Sequence, residues 1–359
     1  MSTKDHNLST EKAHISVFGG GAWGTALALH CGRKGHDVLL WARESEVVDS
    51  INNEHENTLF FKGFKLSPNV KASQDIQKVA TFGEIILTVI PTPFLETVMN
   101  QVSDSITDDK IICSCTKGIL NDTLETPDAI LRRVLPERLH SRLCFLSGPS
   151  FAAEVAAENP TAVTIASFND EVALRVQGLL STPRFRCYTT NDVVGVELGG
   201  ALKNVLAVAV GISDSLGFGA NGRAALMTRG LDELTQLAVG CGANPLTLSG
   251  LAGVGDLILT CTCDLSRNRT VGLRLGKGEK LEDIKKSMNA VAEGILTAKS
   301  SHDLAQKEGI DCPVISGIYK VIYEGAEPLG VIAENMSRPL KPEVNSKVAE
   351  AAAKHAAAH

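Results

Sequence analysis

The residues with the most recognisable spacing are three glycines, Gly19, Gly21 and Gly24, in the order G-x-G-x-x-G. A strand-like run, residues 15–18, precedes them, and a helix-like run and a second apolar strand, residues 38–41, follow. In this setting the first glycine permits a tight turn, the second lets the backbone approach a pyrophosphate, and the third lets helix and strand pack closely. Free N–H groups at the helix start would bind the anion. The spacing predicts a dinucleotide site; the alternative is an ordinary glycine-rich turn.

A single lysine, Lys203, interrupts the apolar segment GGALKNVLAVAVG. Lysine is rarely buried without a partner. Burial lowers the pKa of its amine, so that a neutral base becomes available near neutral pH. The alternative is that the side chain reaches the surface along its own stem. The adjacent Asn204 points in another direction from the same helix, and the segment alone leaves both interpretations of Lys203 open.

Two later segments place polar side chains beside apolar runs. Asp256 follows GLAGVG, and Thr260 lies four residues later on the same helix face; the plainer interpretation of Asp256 is a helix N-cap. Ser266 is a natural N-cap that would place Arg267 and Asn268 in the first turn of the next helix. The helix dipole disfavours arginine there unless an anion binds. The segment therefore predicts a phosphate site, against the alternative of a solvated basic turn.

These residues need a scaffold, and the first half of the chain supplies strand-like runs that alternate with helix-like runs. The strands are predicted at residues 15–18, 38–41, 85–90, 110–115, 143–146 and 163–166. Such alternation predicts a parallel sheet with right-handed crossovers. Ligands on these sheets bind beyond the carboxyl ends of the strands, so the segments PTP, TKG and SGPS that follow three strands are expected to face the cofactor.

After residue 191 the β-branched runs thin out and long helical segments begin. We therefore predict an α/β protein, with an N-terminal Rossmann-like doubly wound sheet followed by an all-helical C-terminal domain. The predicted divisions are a disordered leader at 1–12, a dinucleotide-binding domain at 13–191, a helical substrate-binding and catalytic domain at 192–342, and an alanine-rich tail at 343–359.

Composition narrows the function classes. The 359 residues carry a net charge of −6, whereas nucleic-acid-binding proteins are usually basic, so we expect no nucleic-acid partner. Charged residues interrupt the longest apolar segment, residues 196–216, so we expect no membrane partner.

The nine cysteines include the pairs Cys113/Cys115 and Cys261/Cys263, which are spaced more closely than zinc ligands. We interpret them as reduced thiols on strand faces, expect no metal, and expect a cytoplasmic location.

With these residues in place, the chain resembles the NAD-dependent glycerol-3-phosphate dehydrogenase family over residues 15–340. The resemblance rests on eight ordered blocks: GGGAWGTALA, VIPTPFL, CTKGI, LSGPSFAAEV, ELGGALKNVLAVAVGI, GLAGVGDLILTC, SRNRTVG and AVAEG. Other two-domain hydroxyacid dehydrogenases share the first block but not the later lysine, aspartate and arginine blocks. The family implies interconversion of sn-glycerol 3-phosphate and dihydroxyacetone phosphate with a nicotinamide cofactor, and it implies a homodimer.

The resemblance also implies residue roles. Lys203 accepts the proton of the substrate hydroxyl, Lys117 lies near the nicotinamide and the substrate oxygen, and Asp256 and Thr260 orient Lys203 and the substrate. The implied substrate contacts are Lys117, Asn204, Asp256, Ser266, Arg267 and Asn268. The implied cofactor contacts are Gly19, Gly21, Ala22, Trp23, Gly24, Arg43, Phe94, Lys117, Ala152, Arg267, Val291 and Glu293.

The choice between NAD and NADP depends on the end of the second strand, which reads WARE at 41–44. An NAD site often has an acid at this point, whereas Arg43 would accommodate a 2′-phosphate, and Glu44 falls just past the strand. We expect NAD and leave NADP open.

The alternative functions are a dehydrogenase of a 3-hydroxyacyl thioester or sugar-acid phosphate, and a nucleotide sensor without catalysis.

The insertion at 54–69 contains the apolar cluster LFFKGF. Its aromatic residues Phe60, Phe61 and Phe64 are expected either to cover the cofactor cleft or to form a small separate core.

Overall fold

The computed structural model describes residues 11–288, 292–343 and 346–357. The chain divides into two compact units. The first comprises the chain up to Thr116 together with Pro127–Val193, and the second comprises Lys117–Thr126 and the chain from Val194 onward. The segment that carries Lys117 thus packs with the helical second half, although it directly follows a strand of the first unit.

The first unit is built on an eight-stranded sheet. The strands of this unit are β1 (His14–Phe18), β2 (Asp37–Trp41), β3 (Glu56–Asn57), β4 (Phe61–Lys65), β5 (Val70–Ser73), β6 (Ile85–Thr88), β7 (Ile111–Ser114), β8 (Leu143–Ser147), β9 (Thr161–Ala166) and β10 (Phe185–Thr190). Strands β3 and β4 form a separate hairpin. The strand order is β10-β9-β8-β7-β6-β1-β2-β5. All neighbouring pairs are parallel except β8 and β9, which are antiparallel. The helices are α1 (Ala22–Arg33), α2 (Ser45–Glu54), α3 (Ile76–Phe82), α4 (Thr92–Asn100), α5 (Pro127–Val134), α6 (Ala152–Ala156) and α7 (Asp170–Leu180).

The central strands are mostly apolar, as expected for a sheet that is covered on both faces. All residues of β6, β7 and β8 are buried. This confirms the Rossmann-like prediction, but the expectation of a purely parallel sheet is wrong at β9. Sequence analysis also missed β5 and β10, which are the two edges of the sheet. Edge strands alternate buried and exposed residues, as FRCYTT does in β10, and this weakens their apolar signal.

The second unit is helical. Its helices are α8 (Val193–Ser215), α9 (Gly219–Gly240), α10 (Pro245–Leu248), α11 (Asp256–Thr262), α12 (Arg267–Gly276), α13 (Leu281–Ser287), α14 (Glu293–Glu308), α15 (Pro313–Tyr319), α16 (Pro328–Met336) and α17 (Ser346–Ala357). Helix α8 is the core of this unit, because its apolar side chains face other helices all round. The helical C-terminal prediction is confirmed.

Two segments are long and apolar enough to cross a membrane by length and composition alone, Val193–Ser215 and Pro245–Thr262. The first is 94% buried within the protein, as expected for the central helix of a globular unit. Burial therefore accounts for its hydrophobicity without a bilayer.

Three local expectations can be compared with the structure. Residues 1–10 of the predicted leader lie outside the described residues, while Glu11 and Lys12 form ion pairs with Arg175 and Asp37. The described tail residues form helix α17. The strand assignment for the second cysteine pair is wrong, because Cys261 lies within α11 and Cys263 follows its end.

Candidate functional site

The glycine-rich turn between β1 and α1 forms as its spacing predicts. Gly19 has a φ of +131°, and a Cβ added at Gly24 would overlap the Gly19 carbonyl oxygen. By contrast, a Cβ at Gly21 would meet no atom of the described residues within 4 Å. No side chain caps the first turn of α1. The turn is therefore closed by Gly19 and Gly24 and open at Gly21, which fits a dinucleotide pyrophosphate held on backbone N–H groups.

Sequence analysis missed the residue that fixes this turn. Asn57, from the hairpin within the 54–69 insertion, is fully buried. Its amide nitrogen donates to the Gly20 carbonyl oxygen at 2.7 Å and to the Thr25 hydroxyl at 2.8 Å, and its carbonyl oxygen accepts from the Phe60 backbone N–H at 3.0 Å. No sequence motif marks a lone asparagine that donates to Gly20 and Thr25, both more than 30 residues away.

The aromatic residues of the same insertion differ in burial. Phe61 is buried in the core of the first unit and stacks on Phe64, with ring centroids 4.7 Å apart. These two rings therefore pack on the main core of the first unit, and the expected small separate core does not form from them. Phe60 is 42% exposed and stays available for contact.

The other predicted cofactor residues of the first unit lie on helix starts and a strand end. Ala22 and Trp23 are half-buried in the first turn of α1, and Ala152 begins α6. Phe94 is exposed in the first turn of α4. Arg43 is exposed just after β2, and its guanidinium donates to the Glu44 carboxylate at 2.9 Å.

The second unit contains a compact charge cluster that sequence spacing could not assemble. Lys203 on α8 and Lys117 both bind the same carboxylate, that of Asp256: Lys203 through Oδ1, and Lys117 through Oδ2 at 2.8 Å. The Lys203 side chain is 8% exposed and that of Asp256 only 1%. Lys203 is thus a buried lysine with a partner, and the interpretation as a surface-reaching side chain is wrong.

Close backbone approach explains why these groups meet. Residues Leu251–Gly255 form one π-helical turn directly before Asp256, a feature that is frequent at functional sites. Gly199 on α8 lies against this turn, and a Cβ there would be 2.6 Å from the Ala252 carbonyl oxygen. Since Lys203 lies one helical turn after Gly199, it shares the face that contacts Asp256.

The cluster shifts the pKa values of its two lysines in opposite directions. Burial, together with the positive charge of Lys117, lowers the pKa of Lys203 to about 8, although Asp256 opposes the shift. Burial would also lower the pKa of Lys117, but Asp256 outweighs it, so that the pKa of Lys117 is raised. The two ammonium groups hold the pKa of Asp256 below its usual value despite its burial. Lys203 is therefore the lysine that loses its proton first, and Asp256 stays ionised.

Asp256 is not the helix N-cap that its sequence position allowed. Gly255 occupies the cap position of α11 and no side chain caps it. The Asp256 carboxylate turns to the lysines instead, and the Thr260 hydroxyl donates to the Asp256 backbone oxygen at 2.6 Å and lies 3.4 Å from Oδ1. Thr260 thereby helps to fix the carboxylate, as the shared helix face predicts.

Beside the lysine cluster, two asparagine side chains join three helices. The Asn268 amide nitrogen donates to the Asn204 side-chain oxygen at 2.8 Å, and the Gly294 N–H donates to the Asn268 side-chain oxygen at 2.9 Å. The Asn204 amide nitrogen in turn donates to Glu293 at 3.3 Å. Burial raises the pKa of Glu293, although Lys117, Arg267 and Lys203 oppose the shift. Both asparagines are therefore oriented by internal bonds.

The start of α12 matches its prediction. Ser266 is the N-cap, and its hydroxyl accepts from the Arg269 N–H at 3.3 Å. Arg267 is exposed in the first turn and forms no ion pair or hydrogen bond with another described residue. Arg269, two residues later, is buried on Asp214 and Asp264. The two arginines of this motif thus differ, one being available to a ligand and the other used internally. Val291, a predicted cofactor contact, lies outside the described residues.

The first unit has a Rossmann-like sheet with an open glycine turn, and the second unit has two buried lysines on one carboxylate. Together these features define a dinucleotide-dependent dehydrogenase. Family comparison agrees: residues 14–173 match the N-terminal domain of NAD-dependent glycerol-3-phosphate dehydrogenase, and residues 192–333 match its C-terminal domain. The chain belongs to the NAD-dependent glycerol-3-phosphate dehydrogenase family.

Individual relatives give the same result. The chain is 48% identical over 329 residues to the glycerol-3-phosphate dehydrogenase (NAD(P)+) of Myxococcus xanthus, covering 92% of this chain and 98% of that protein. It is 46% identical over 332 residues to the enzyme of the same name from Syntrophotalea carbinolica, covering 92% and 100%. The crystal structure of glycerol-3-phosphate dehydrogenase from Coxiella burnetii superposes with a TM-score of 0.86 at 38% identity, covering 91% and 99%.

Proposed function

We propose that this chain interconverts sn-glycerol 3-phosphate and dihydroxyacetone phosphate with a nicotinamide cofactor, and that Lys203 is its general base and acid. The observation that carries the assignment is the pair of lysines on one buried carboxylate, whose pKa values move apart. When the pKa values of two neighbouring groups are shifted in opposite directions, the shifts identify which residue exchanges a proton and which keeps its charge.

In this proposal Lys203 takes the proton of the substrate C2 hydroxyl through its neutral Nζ, and returns it in the reverse direction. Lys117, which stays charged, stabilises the negative charge that develops on the substrate oxygen. Asp256 keeps both amines in place and Thr260 keeps Asp256 in place. When bound, the nicotinamide supplies the two-electron acceptor or donor of the reaction.

We assign the substrate phosphate to the first turn of α12. The positively charged side chain of Arg267 forms no ion pair or hydrogen bond with another described residue, and an exposed arginine at a helix N-terminus is unfavourable unless an anion is present. Ser266 and Asn268 flank it. Asn204 extends the same polar surface, because its side chain is bonded directly to Asn268.

We assign the cofactor to the glycine turn and its neighbours in the first unit: Gly19, Gly21, Ala22, Trp23, Gly24, Arg43, Phe94 and Ala152. The family resemblance adds Lys117, Arg267, Val291 and Glu293 as cofactor contacts. The pairing of Arg43 with Glu44 supports the acceptance of either cofactor, with NAD preferred. Glu44 offers an acceptor for ribose hydroxyls, and Arg43 offers a cation for a 2′-phosphate. A homodimer and a cytoplasmic location complete the proposal.

The test is NADH consumption, followed by absorbance, with dihydroxyacetone phosphate as substrate. Dihydroxyacetone without the phosphate and a 3-ketoacyl thioester serve as controls, and NADPH at equal concentration measures the cofactor preference. We expect rapid turnover with dihydroxyacetone phosphate alone. Faster turnover of the thioester, or cofactor binding without turnover of any substrate, would refute the proposal.

A further inference from the structure

The structure assigns a positioning role to the buried ion pair between Asp214 and Arg269: it holds the phosphate-binding turn of α12 at a fixed distance from Lys203. The inference rests on the proposed function, because it concerns how far the substrate phosphate lies from the base. Helix α8, which carries Lys203, contacts α12, which carries Arg267.

These two helices touch at backbone distance. A Cβ at Gly272 would overlap the Val208 carbonyl oxygen, one at Gly211 would overlap the Arg269 carbonyl oxygen, and one at Gly276 would overlap the Ser215 hydroxyl. We call this contact, formed by Val208, Gly211, Gly272 and Gly276, the helix seam. The pairs 208 with 272 and 215 with 276 show that the helices run in the same direction along it.

Polar contacts close the seam. Near Lys203, the Asn268 amide donates to Asn204 at 2.8 Å. Farther along α8, Asp214 Oδ2 accepts from Arg269 Nη2 at 2.7 Å and from Nε at 3.1 Å. The Asp214 and Arg269 side chains are 7% and 10% exposed. Two N–H groups of one guanidinium thus meet a single carboxylate oxygen, and charge-assisted hydrogen bonds of this kind are short and strong. Removing one partner of such a buried pair is costly.

The pair thus acts on the ligand-binding turn from within the helix. Arg269 belongs to the same first turn as Arg267 and Asn268, and its N–H is held by the Ser266 cap. Asp214 is anchored independently, because its Oδ1 accepts from Arg223 of α9 at 2.8 Å. With the glycines excluding side chains and Asp214 holding Arg269, α12 has no freedom to slide along α8. The spacing between base and phosphate is then set by the fold, which selects a substrate of matching length.

The test uses Asp214→Asn, which keeps the shape of the side chain and removes its charge. Since displacement of about 1 Å at a positioned substrate costs up to about a hundredfold in rate, we expect kcat/KM for glycerol 3-phosphate to fall about tenfold. The inhibition constant of inorganic phosphate as a competitive probe should change less, because phosphate alone does not span the distance to Lys203. We expect KM for the cofactor to stay close to wild type. Arg269→Lys, which keeps the charge but cannot present two N–H groups of a planar guanidinium to Asp214, should lower kcat/KM in the same way and provides a second route if Asp214→Asn does not fold.

The matched control is Asp264→Asn. Asp264 also binds Arg269, at 2.7 Å, but its side chain is 97% exposed, so its removal should leave all constants unchanged. A merely structural role of Asp214 would lower the unfolding temperature while kcat/KM for glycerol 3-phosphate stays at the wild-type value, or would weaken substrate and cofactor binding alike; either result overturns the inference. If the wild-type protein itself does not turn over glycerol 3-phosphate, the proposed function fails first.

Discussion

The glycine turn of the first unit and the lysine cluster of the second are built in different ways. The glycines of the turn lie within six positions of one another, and its shape follows from backbone sterics at Gly19 and Gly24, with Asn57 bonded to it from the neighbouring hairpin. The lysine cluster joins Lys117, Lys203 and Asp256, which are separated by 86 and 53 positions along the chain. A local motif is therefore sensitive to added volume, whereas an assembled cluster is sensitive to changes in charge and in helix packing.

A second comparison shows what the lysine cluster adds. Lys110 in the first unit is as buried as Lys203, at 7% against 6% exposed, and burial lowers the pKa of both. Lys110 donates to two backbone carbonyl oxygens, those of Thr81 and Gly83, and so fixes a loop. Lys203 instead shares a carboxylate with another cation. Two equally buried lysines thus differ in the charges that surround their amines.

The largest effect is expected from Lys203→Met, which keeps the apolar stem and removes the amine. Because a general base contributes about a hundred- to ten-thousandfold, kcat should fall within that range while cofactor affinity persists, as measured by steady-state kinetics and cofactor titration. The matched variant Lys110→Met should keep kcat and lose about 1–3 kcal/mol of unfolding free energy, because two buried carbonyls lose their donor. Near-normal rates in Lys203→Met would remove the base assignment.

The next effect is expected from Arg267→Ala. Charged hydrogen bonds contribute about 1.5–3 kcal/mol, so KM for glycerol 3-phosphate should rise about ten- to a hundredfold, with a smaller change in kcat. Arg274→Ala is the control on the same helix, because Arg274 pairs with Glu279 at the surface, and it should leave KM unchanged. An unaltered KM in Arg267→Ala would place the phosphate elsewhere.

Two glycine variants separate the closed side of the turn from its open side. Gly24→Ala forces a methyl group onto the Gly19 carbonyl oxygen, and overpacking of about 1–3 kcal/mol should lower the unfolding temperature and raise cofactor KM about tenfold. Gly21→Ala meets no protein atom within 4 Å, so it should leave the unfolding temperature unchanged and weaken only cofactor binding. Thermal unfolding with and without cofactor measures both. Equal unfolding temperatures for the two variants would contradict the distinction.

The smallest effect concerns pH. In the proposed mechanism, oxidation of glycerol 3-phosphate requires neutral Lys203, so its kcat should rise with pH and level off above about 8, whereas reduction, which requires the protonated amine, should fall over the same range. Asp256 raises the pKa of Lys203, so Asp256→Asn should move both midpoints to lower pH. Rate profiles in the two directions measure the shift, and midpoints that move upward in this variant would show that Asp256 does not hold the Lys203 proton.

Much of the fold could be predicted because buried strands and amphipathic helices carry strong local signals. The central strands β1, β2, β6, β7 and β8 and the helix starts at Gly21 and Ser266 follow from such signals. The edge strands β5 and β10, the reversed β9 and the cysteine pair at the end of α11 do not, because their environment is set by neighbours distant in sequence. The same reason hid Asn57.

The sequence by itself determined the dinucleotide turn, the class of fold and the residue types of the site, since glycine sterics, strand burial and helix caps act over a few positions. The tertiary structure alone decided that Lys203 and Lys117 share Asp256, that Asn204 and Asn268 bind each other, and that Arg269 is internal while Arg267 is exposed. Those outcomes depend on which helices touch, and such contacts fix the electric field and the burial of each group. The pKa of a group, and whether its hydrogen-bond donors are available to a ligand, depend on that assembled environment and cannot be read from the residue type alone.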